Sequence, residues 1–314
     1  MKVSLIIPTY RRPIDLKNCL DAIKNQKRAV NEIIVIARNE DDETWDFLQR
    51  FDNQSLPLKT FSIDVPGVIA AMNLGLAKAT GDIIAFTDDD SMPRDNWIEK
   101  IEVNFKADKA IGGVGGRDWI HQGSRVLDSS CSVVGRVQWF GRVIGNHHLG
   151  VGSPRYVDVL KGVNMSFRKS AIADIYFDDR MLGAGAQVHF ELAFCLSLKK
   201  KGWKIIYDPA IAVDHYPAQR FDEDKRNLFS YEAKKNAVHN ETFALMNYFA
   251  ITQQIIFIFW ATIVGTRDAY GLIQWLRFFI QGDEIATKKL LSSLHGRWLG
   301  MKNYHKSCSV PSNK

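Results

Sequence analysis

Apolar and polar positions alternate along the first 120 residues with two different periods. Val3–Ile7 is a β-branched run closed by Pro8 and predicts a first strand. Leu16, Cys19, Leu20 and Ile23 follow the i, i+3, i+4, i+7 spacing of a helix laid on a core. Ile33–Ile36 predicts a second strand, Glu43–Phe51 a helix, Phe61–Ile63 a third strand and Val68–Ala79, after Gly67, another helix. Asp82–Thr87 carries four apolar residues after a glycine and predicts a buried strand, with a helix following near Arg94–Phe105. This order predicts an α/β fold, a mostly parallel sheet with helices on both faces.

Further on the pattern weakens. Ile111–Ile120 contains Gly-Gly-Val-Gly-Gly, which permits close backbone approach but lacks the strand-Gly-x-Gly-x-x-Gly-helix order of a dinucleotide site. His121–Tyr156 reads as loops, and a second structured block runs from Val157 to about Tyr216. After Asn240 the character changes. Phe243–Val264 is long enough to span a bilayer, although Asn247, Gln253 and Gln254 interrupt it. Tyr270–Ile280, with Trp275 and Arg277, reads as an interfacial amphipathic helix. Membrane-surface contact, a true span, and a soluble helical subdomain or oligomer face all stay open. Lys288, Lys289, Arg297, Lys302 and Lys306 suit an anionic leaflet.

Composition narrows the classes. The chain has 314 residues, is 46% hydrophobic and carries a net charge of +6. That supports a large core and anionic partners such as nucleotide phosphates. No Lys/Arg block suggests a nucleic-acid arm. Cys19, Cys131, Cys195 and Cys308 fit neither a zinc site nor a disulfide framework, so they read as free thiols in a reducing cytoplasm. The apolar stretch before Pro8 is too short for a secretory signal.

The candidate chemistry sits at the end of the Asp82–Thr87 strand, in Asp88-Asp89-Asp90. Adjacent carboxylates repel one another, and a divalent cation with a phosphorylated ligand relieves that repulsion. Ligands of open α/β sheets bind outside the carboxyl ends of the strands. A solvated acidic turn capping the next helix is the alternative.

Several segments point the same way: Val3–Pro13 (Val-Ser-Leu-Ile-Ile-Pro-Thr-Tyr-Arg-Arg-Pro), Gly81–Asp90, Gly162–Arg168 (Gly-Val-Asn-Met-Ser-Phe-Arg), Gly202–Pro209 and His215. In this order and spacing they resemble glycosyltransferase family 2, inverting enzymes of the GT-A fold that use nucleotide-diphospho-sugars. The resemblance covers roughly residues 1–220, and Leu294–Gly300 is similar to membrane-associated bacterial members. It implies a catalytic domain over 1–225, with a nucleotide-sugar half to about 120 and an acceptor half after it. A helical membrane-proximal region over 226–314 completes the chain.

The resemblance also implies roles. Asp88 and Asp90 match the first and third positions of the D-x-D motif, holding Mg²⁺ or Mn²⁺ against the diphosphate, and Asp89 touches sugar or ribose. Pro8, Thr9, Tyr10 and Arg12 match the nucleotide-contacting segment, with Tyr10 stacking on a base; Arg12 reads equally as a surface arginine. His215 matches a third metal ligand, better suited to Mn²⁺ than Mg²⁺, or is a hydrogen-bonded strand end. Arg220 and Arg226 clamp the diphosphate or form a solvated basic face. Glu191 sits where relatives carry the Asp base that deprotonates the acceptor. His189 is the alternative base, and a Glu that merely favours the helix dipole is the other reading.

Two departures bear on the donor. Relatives carry an Asp that contacts the base where this chain has Arg38, so recognition differs or passes to Asn39 or Asp41. Met72 in Ala71-Met72-Asn73 replaces an arginine near the phosphates. The expected activity is transfer of a sugar to a hydroxyl of a glycan or glycolipid, in bacterial polysaccharide or glycolipid synthesis. The expected location is the cytoplasm, at the inner face of the cell membrane. A sugar nucleotidyltransferase is disfavoured because Pro8–Pro13 lacks glycine. A non-catalytic glycan-binding scaffold stays open through Arg38, Met72 and Glu191.

Overall fold

The computed structural model describes residues 1–51, 56–123, 125–222, 224–225 and 228–309, with no side chains described for 308 and 309. Arg226 and the Cys308 side chain therefore lie outside the described residues. The strands are β1 (Val3–Thr9), β2 (Glu32–Arg38), β3 (Leu58–Ile63), β4 (Ile83–Phe86), β5 (Ser91–Pro93), β6 (Ile111–Gln122), β7 (Arg125–Val126), β8 (Arg136–Val137), β9 (Val143–Ile144), β10 (Arg155–Tyr156), β11 (Met165–Arg168) and β12 (Lys204–His215). The helices longer than one turn are α1 (Pro13–Lys24), α2 (Asp42–Arg50), α3 (Val68–Lys78), α4 (Trp97–Ala107), α5 (Phe190–Lys200), α6 (Tyr231–Tyr248), α7 (Ile251–Ile263), α8 (Leu272–Ile280) and α9 (Ala286–Ser309).

The main sheet runs β10-β12-β6-β11-β4-β1-β2-β3. Strands β4, β1, β2 and β3 are parallel, as the alternating pattern predicts, while β11 pairs antiparallel with both β4 and β6. Side-chain alternation divides the core. Leu5, Ile7, Val35 and Ile83 face Leu16, Leu20, Trp97 and Ile101 of α1 and α4. Ile6, Ile34, Ile36 and Phe86 face the side that holds Met72 of α3 and Phe194 of α5. Burial on both faces explains why these strands read as continuous apolar runs.

Strand β6 is where the glycine-rich run lies. It is squeezed between β11 and β12, and a Cβ on Gly116 would stand 1.9 Å from the Ile211 carbonyl oxygen. The expected close approach is thus inside the sheet. The same glycines remove the apolar signal that marks the other strands.

The long apolar run after Phe243 is two helices rather than one. The chain breaks at Phe249–Ala250, where Gln254 donates to the carbonyls of Met246 (2.8 Å) and Phe249 (3.0 Å) and to the Tyr304 hydroxyl (3.0 Å). Those bonds satisfy carbonyls left open at the end of α6. No helix of the described residues is long and apolar enough to cross a membrane. Helices α6 and α9 pack closely because Gly296 and Gly300 face Lys235, His239 and Thr242. Arg297, expected on a basic surface, is 2% exposed, its Nη1 3.6 Å from Glu241. No residue of α8 is buried, and Leu272, Ile273, Leu276, Phe279 and Ile280 are exposed.

Candidate active site

From β1 the chain winds through β2 and β3 to one side, then returns to lay β4 on the other side of β1. A crevice opens where the winding direction reverses, outside the carboxyl ends of those strands. Thr9 ends β1, and Thr87 through Asp90 follow β4, so the topology brings the acidic triplet to this point.

Each aspartate has distinct surroundings. Asp89 is fully buried; its Oδ2 accepts from Thr9 Oγ1 at 2.7 Å and its Oδ1 lies 3.0 Å from an Arg12 nitrogen. Asp90 Oδ2 accepts from Arg12 (3.3 Å) and from the Ala218 N–H (2.9 Å). His215, at the end of β12, brings Nε2 to 3.3 Å from Asp90 Oδ1. Asp88, Asp90 and His215 offer ligand atoms that all lie within 4.8 Å of one another. Two carboxylates and an imidazole form a donor set that a divalent cation such as Mn²⁺ can take.

The charges are interdependent. Burial pushes Asp89 up, Arg12 opposing and Asp90 and Asp88 adding to it. Asp90 is also penalised by burial, but His215, Arg12 and the Ala218 N–H hold it well below the usual carboxylate range. Burial alone would lower His215, yet Asp118, Asp90 and Asp88 raise it. Arg12 is therefore no ordinary surface arginine, because it supplies positive charge to two buried carboxylates.

The crevice holds about 220 Å³ and includes Pro8, Thr9, Tyr10, Arg12, Arg38, Asp88 and Arg220 in its lining. The Arg38 guanidinium lies 4.1 Å from the Tyr10 ring centre and donates to the Ala184 carbonyl at 2.9 Å. Another face of Tyr10 meets Phe221 edge-on at 6.4 Å. Asn39 is exposed and outside this lining. Asp41 caps α2 and accepts from the Thr44 N–H (3.2 Å) and the Arg11 N–H (2.6 Å). Both of its oxygens are thus committed to the fold. Met72 is buried in the core. Arg220 pairs with Asp224.

A second, larger cavity of about 1130 Å³ lies against the C-terminal helices. The two cavities share Lys161, Ala186, Val188 and Glu191. Glu191 is in the first turn of α5, half-buried, and His189 caps that helix with φ 75°. Burial pushes the Glu191 carboxyl up, with His189 and Lys161 opposing. The loop before α5 is held from α6, where Asn240 donates to the carbonyls of Leu182 and Val188, both at 3.0 Å.

The Glycosyl transferase family 2 model matches residues 4–164, more than half of the chain. The chain belongs to glycosyltransferase family 2. Among curated members, glycosyltransferase AglE of Haloferax volcanii is 31% identical over 101 residues, covering 31% of this chain and 33% of AglE. The chain spans less than half the length of the curated relatives it matches. Solved structures share the GT-A fold along nearly all of it. S. aureus TarS 1–349 has a TM-score of 0.58 at 13% identity, covering 98% of this chain and 92% of that one. The mannosyltransferase PcManGT from Pyrobaculum calidifontis, solved with GDP-Man and Mn²⁺, has a TM-score of 0.57 at 14% identity, covering 98% and 87%.

The family match ends before Glu191 and His215, so those residues stand on geometry and on the resemblance of the segments around them. Lys161, Asp118, Phe221 and Asp222 line or support the two cavities, and the motifs did not single them out. Lys161 had a faint signal, as the residue just before the Gly162–Arg168 segment.

Proposed function

We propose that this chain is an inverting, metal-dependent glycosyltransferase that moves a sugar from a nucleotide diphosphate to a hydroxyl acceptor. The observation that carries this is the shared wall. The crevice with the acidic cluster and the larger cavity meet at Glu191, so donor and acceptor sites adjoin at a carboxylate. The nucleotide would lie along Pro8–Arg12 with its base by Tyr10, Arg38 and Phe221. Asp88, Asp90 and His215 would hold Mg²⁺ or Mn²⁺, which when bound neutralises charge on the departing diphosphate. Glu191 takes the acceptor's proton as the hydroxyl oxygen forms its bond to the sugar's anomeric carbon. The bond from that carbon to the diphosphate oxygen breaks on the opposite face, so the configuration inverts. His189 is the alternative base. Residues 1–225 form the catalytic unit in this reading, and 226–314 complete the acceptor side.

A thermal-shift screen of nucleoside diphosphates with and without Mn²⁺ tests it. One nucleotide should stabilise the protein only with Mn²⁺, by about 2.7 kcal/mol at a hundred times its Kd. Asp90→Ala should abolish the gain. A folded protein that responds to no nucleotide would be a scaffold.

The acceptor we propose is a glycan or glycolipid met at an anionic membrane surface, the inner face of the cell membrane. Ile251, Ile255 and Phe259 form an exposed stripe on α7, and the outward residues of α8 are apolar apart from Arg277. Between 243 and 309 there are seven Lys or Arg against three Asp or Glu. Both features suit an interfacial helix pair at anionic lipid. The protein should float with phosphatidylglycerol vesicles and less with neutral ones, and Leu276→Asp with Ile280→Asp should cut flotation at least tenfold. Wild type that stays with the aqueous fraction in every case would mean an acceptor reached from solution.

A further inference from the structure

We propose that Asp118 is a positioning residue for the cation site, fixing the His215 ring from behind and tying it to Lys161. The inference rests on the reading of Asp88, Asp90 and His215 as metal ligands. Strands β6 and β12 run in parallel register, with Asp118 opposite Val213 and Ile120 opposite His215. The two side chains therefore meet inside the sheet's end. Asp118 is fully buried. Its Oδ2 lies 3.7 Å from His215 Nδ1 and accepts from Lys161 Nζ at 2.5 Å, while its Oδ1 has no hydrogen-bond partner. The other ring nitrogen, Nε2, faces Asp90. The imidazole thus lies between carboxylates, one beside each nitrogen, with neither nitrogen hydrogen-bonded.

A buried carboxylate with one oxygen unsatisfied is costly, and its Lys161 pairing answers only part of that cost. A small turn of the His215 ring would bring its Nδ1 proton, now 3.7 Å from Oδ2, onto this carboxylate and leave the Nε2 lone pair aimed at the cation. Carboxylate partners of metal-binding histidines act this way, fixing the tautomer and raising ligand basicity. Lys161 lines both cavities, so the same carboxylate also anchors a cation where donor and acceptor sites join.

The test is Mn²⁺ titration followed by electron paramagnetic resonance, with UDP and with GDP, on wild type, Asp118→Asn and Asp90→Ala. Asp118→Asn should weaken Mn²⁺ binding 10–100-fold. Its thermal midpoint in EDTA should stay near that of wild type, a split that general loosening of the fold would not produce. Equal Mn²⁺ affinity in wild type and Asp118→Asn overturns this inference alone. Absence of Mn²⁺ uptake by wild type overturns the cation site as well. A measurement on wild type guards against a variant that fails to fold. With ¹¹³Cd²⁺ and nucleotide, the ¹⁵N spectrum of His215 should show metal coupling at Nε2 and the proton on Nδ1. A proton on Nε2 overturns the proposal.

Discussion

Replacing Glu191 with Gln is expected to lower kcat for sugar transfer by roughly 10²–10⁴-fold, the usual contribution of a positioned general base. The amide has the same shape but cannot accept the acceptor's proton. Glu191 lies where the two cavities join, so the loss should fall on the chemical step. Mn²⁺-dependent nucleotide affinity should stay within about twofold. The wild-type rate should also fall on the acid side as Glu191 is protonated. Burial raises its carboxyl, so that limb should lie above the ordinary Glu value of about 4.3. His189→Gln provides the comparison, because His189 caps the same helix and faces the same cavity. Steady-state rates across pH for both variants decide between them. If Glu191→Gln keeps more than a tenth of wild-type kcat while His189→Gln loses more, the base is His189.

Much of the catalytic fold is legible because its strands are buried on both faces. Val3–Ile7, Ile33–Ile36 and Ile83–Phe86 have no polar face to disguise them. Strand β6 hides its character, since close packing between neighbours requires glycines that carry no apolar signal. The helix break at Phe249–Ala250 has neither Gly nor Pro to announce it; it depends on a Gln254 side chain reaching back to carbonyls and across to Tyr304. Arg297 looks like a surface base in sequence and is instead buried against α6 through Glu241. The acidic triplet was readable because three like charges end an apolar run. Asp118 and Lys161 were not, since each is a single residue whose meaning comes from the strand beside it.

Arg12→Met is expected to destabilise the metal-free protein by about 3–5 kcal/mol, the usual cost of stripping one partner from a buried ion pair. Arg12 serves two carboxylates, at 3.0 Å from Asp89 and 3.3 Å from Asp90. Without it Asp89 keeps the Thr9 hydroxyl but faces Asp90 and Asp88 with less opposing charge. Its carboxyl, already raised, should rise further. A native state that holds a proton the unfolded chain has released loses stability as pH increases. The window opens near the unfolded Asp value of about 3.9 and extends up to the raised native value. The deficit of Arg12→Met should therefore be smallest near pH 4–5 and largest at pH 8, as measured by urea unfolding in EDTA. Adding Mn²⁺ should return more stability to the variant than to wild type, because a bound cation takes over part of the missing guanidinium's charge. A loss below about 1 kcal/mol across that pH range would mean that the aspartates are already neutralised without Arg12, and that its place in the crevice concerns the nucleotide alone.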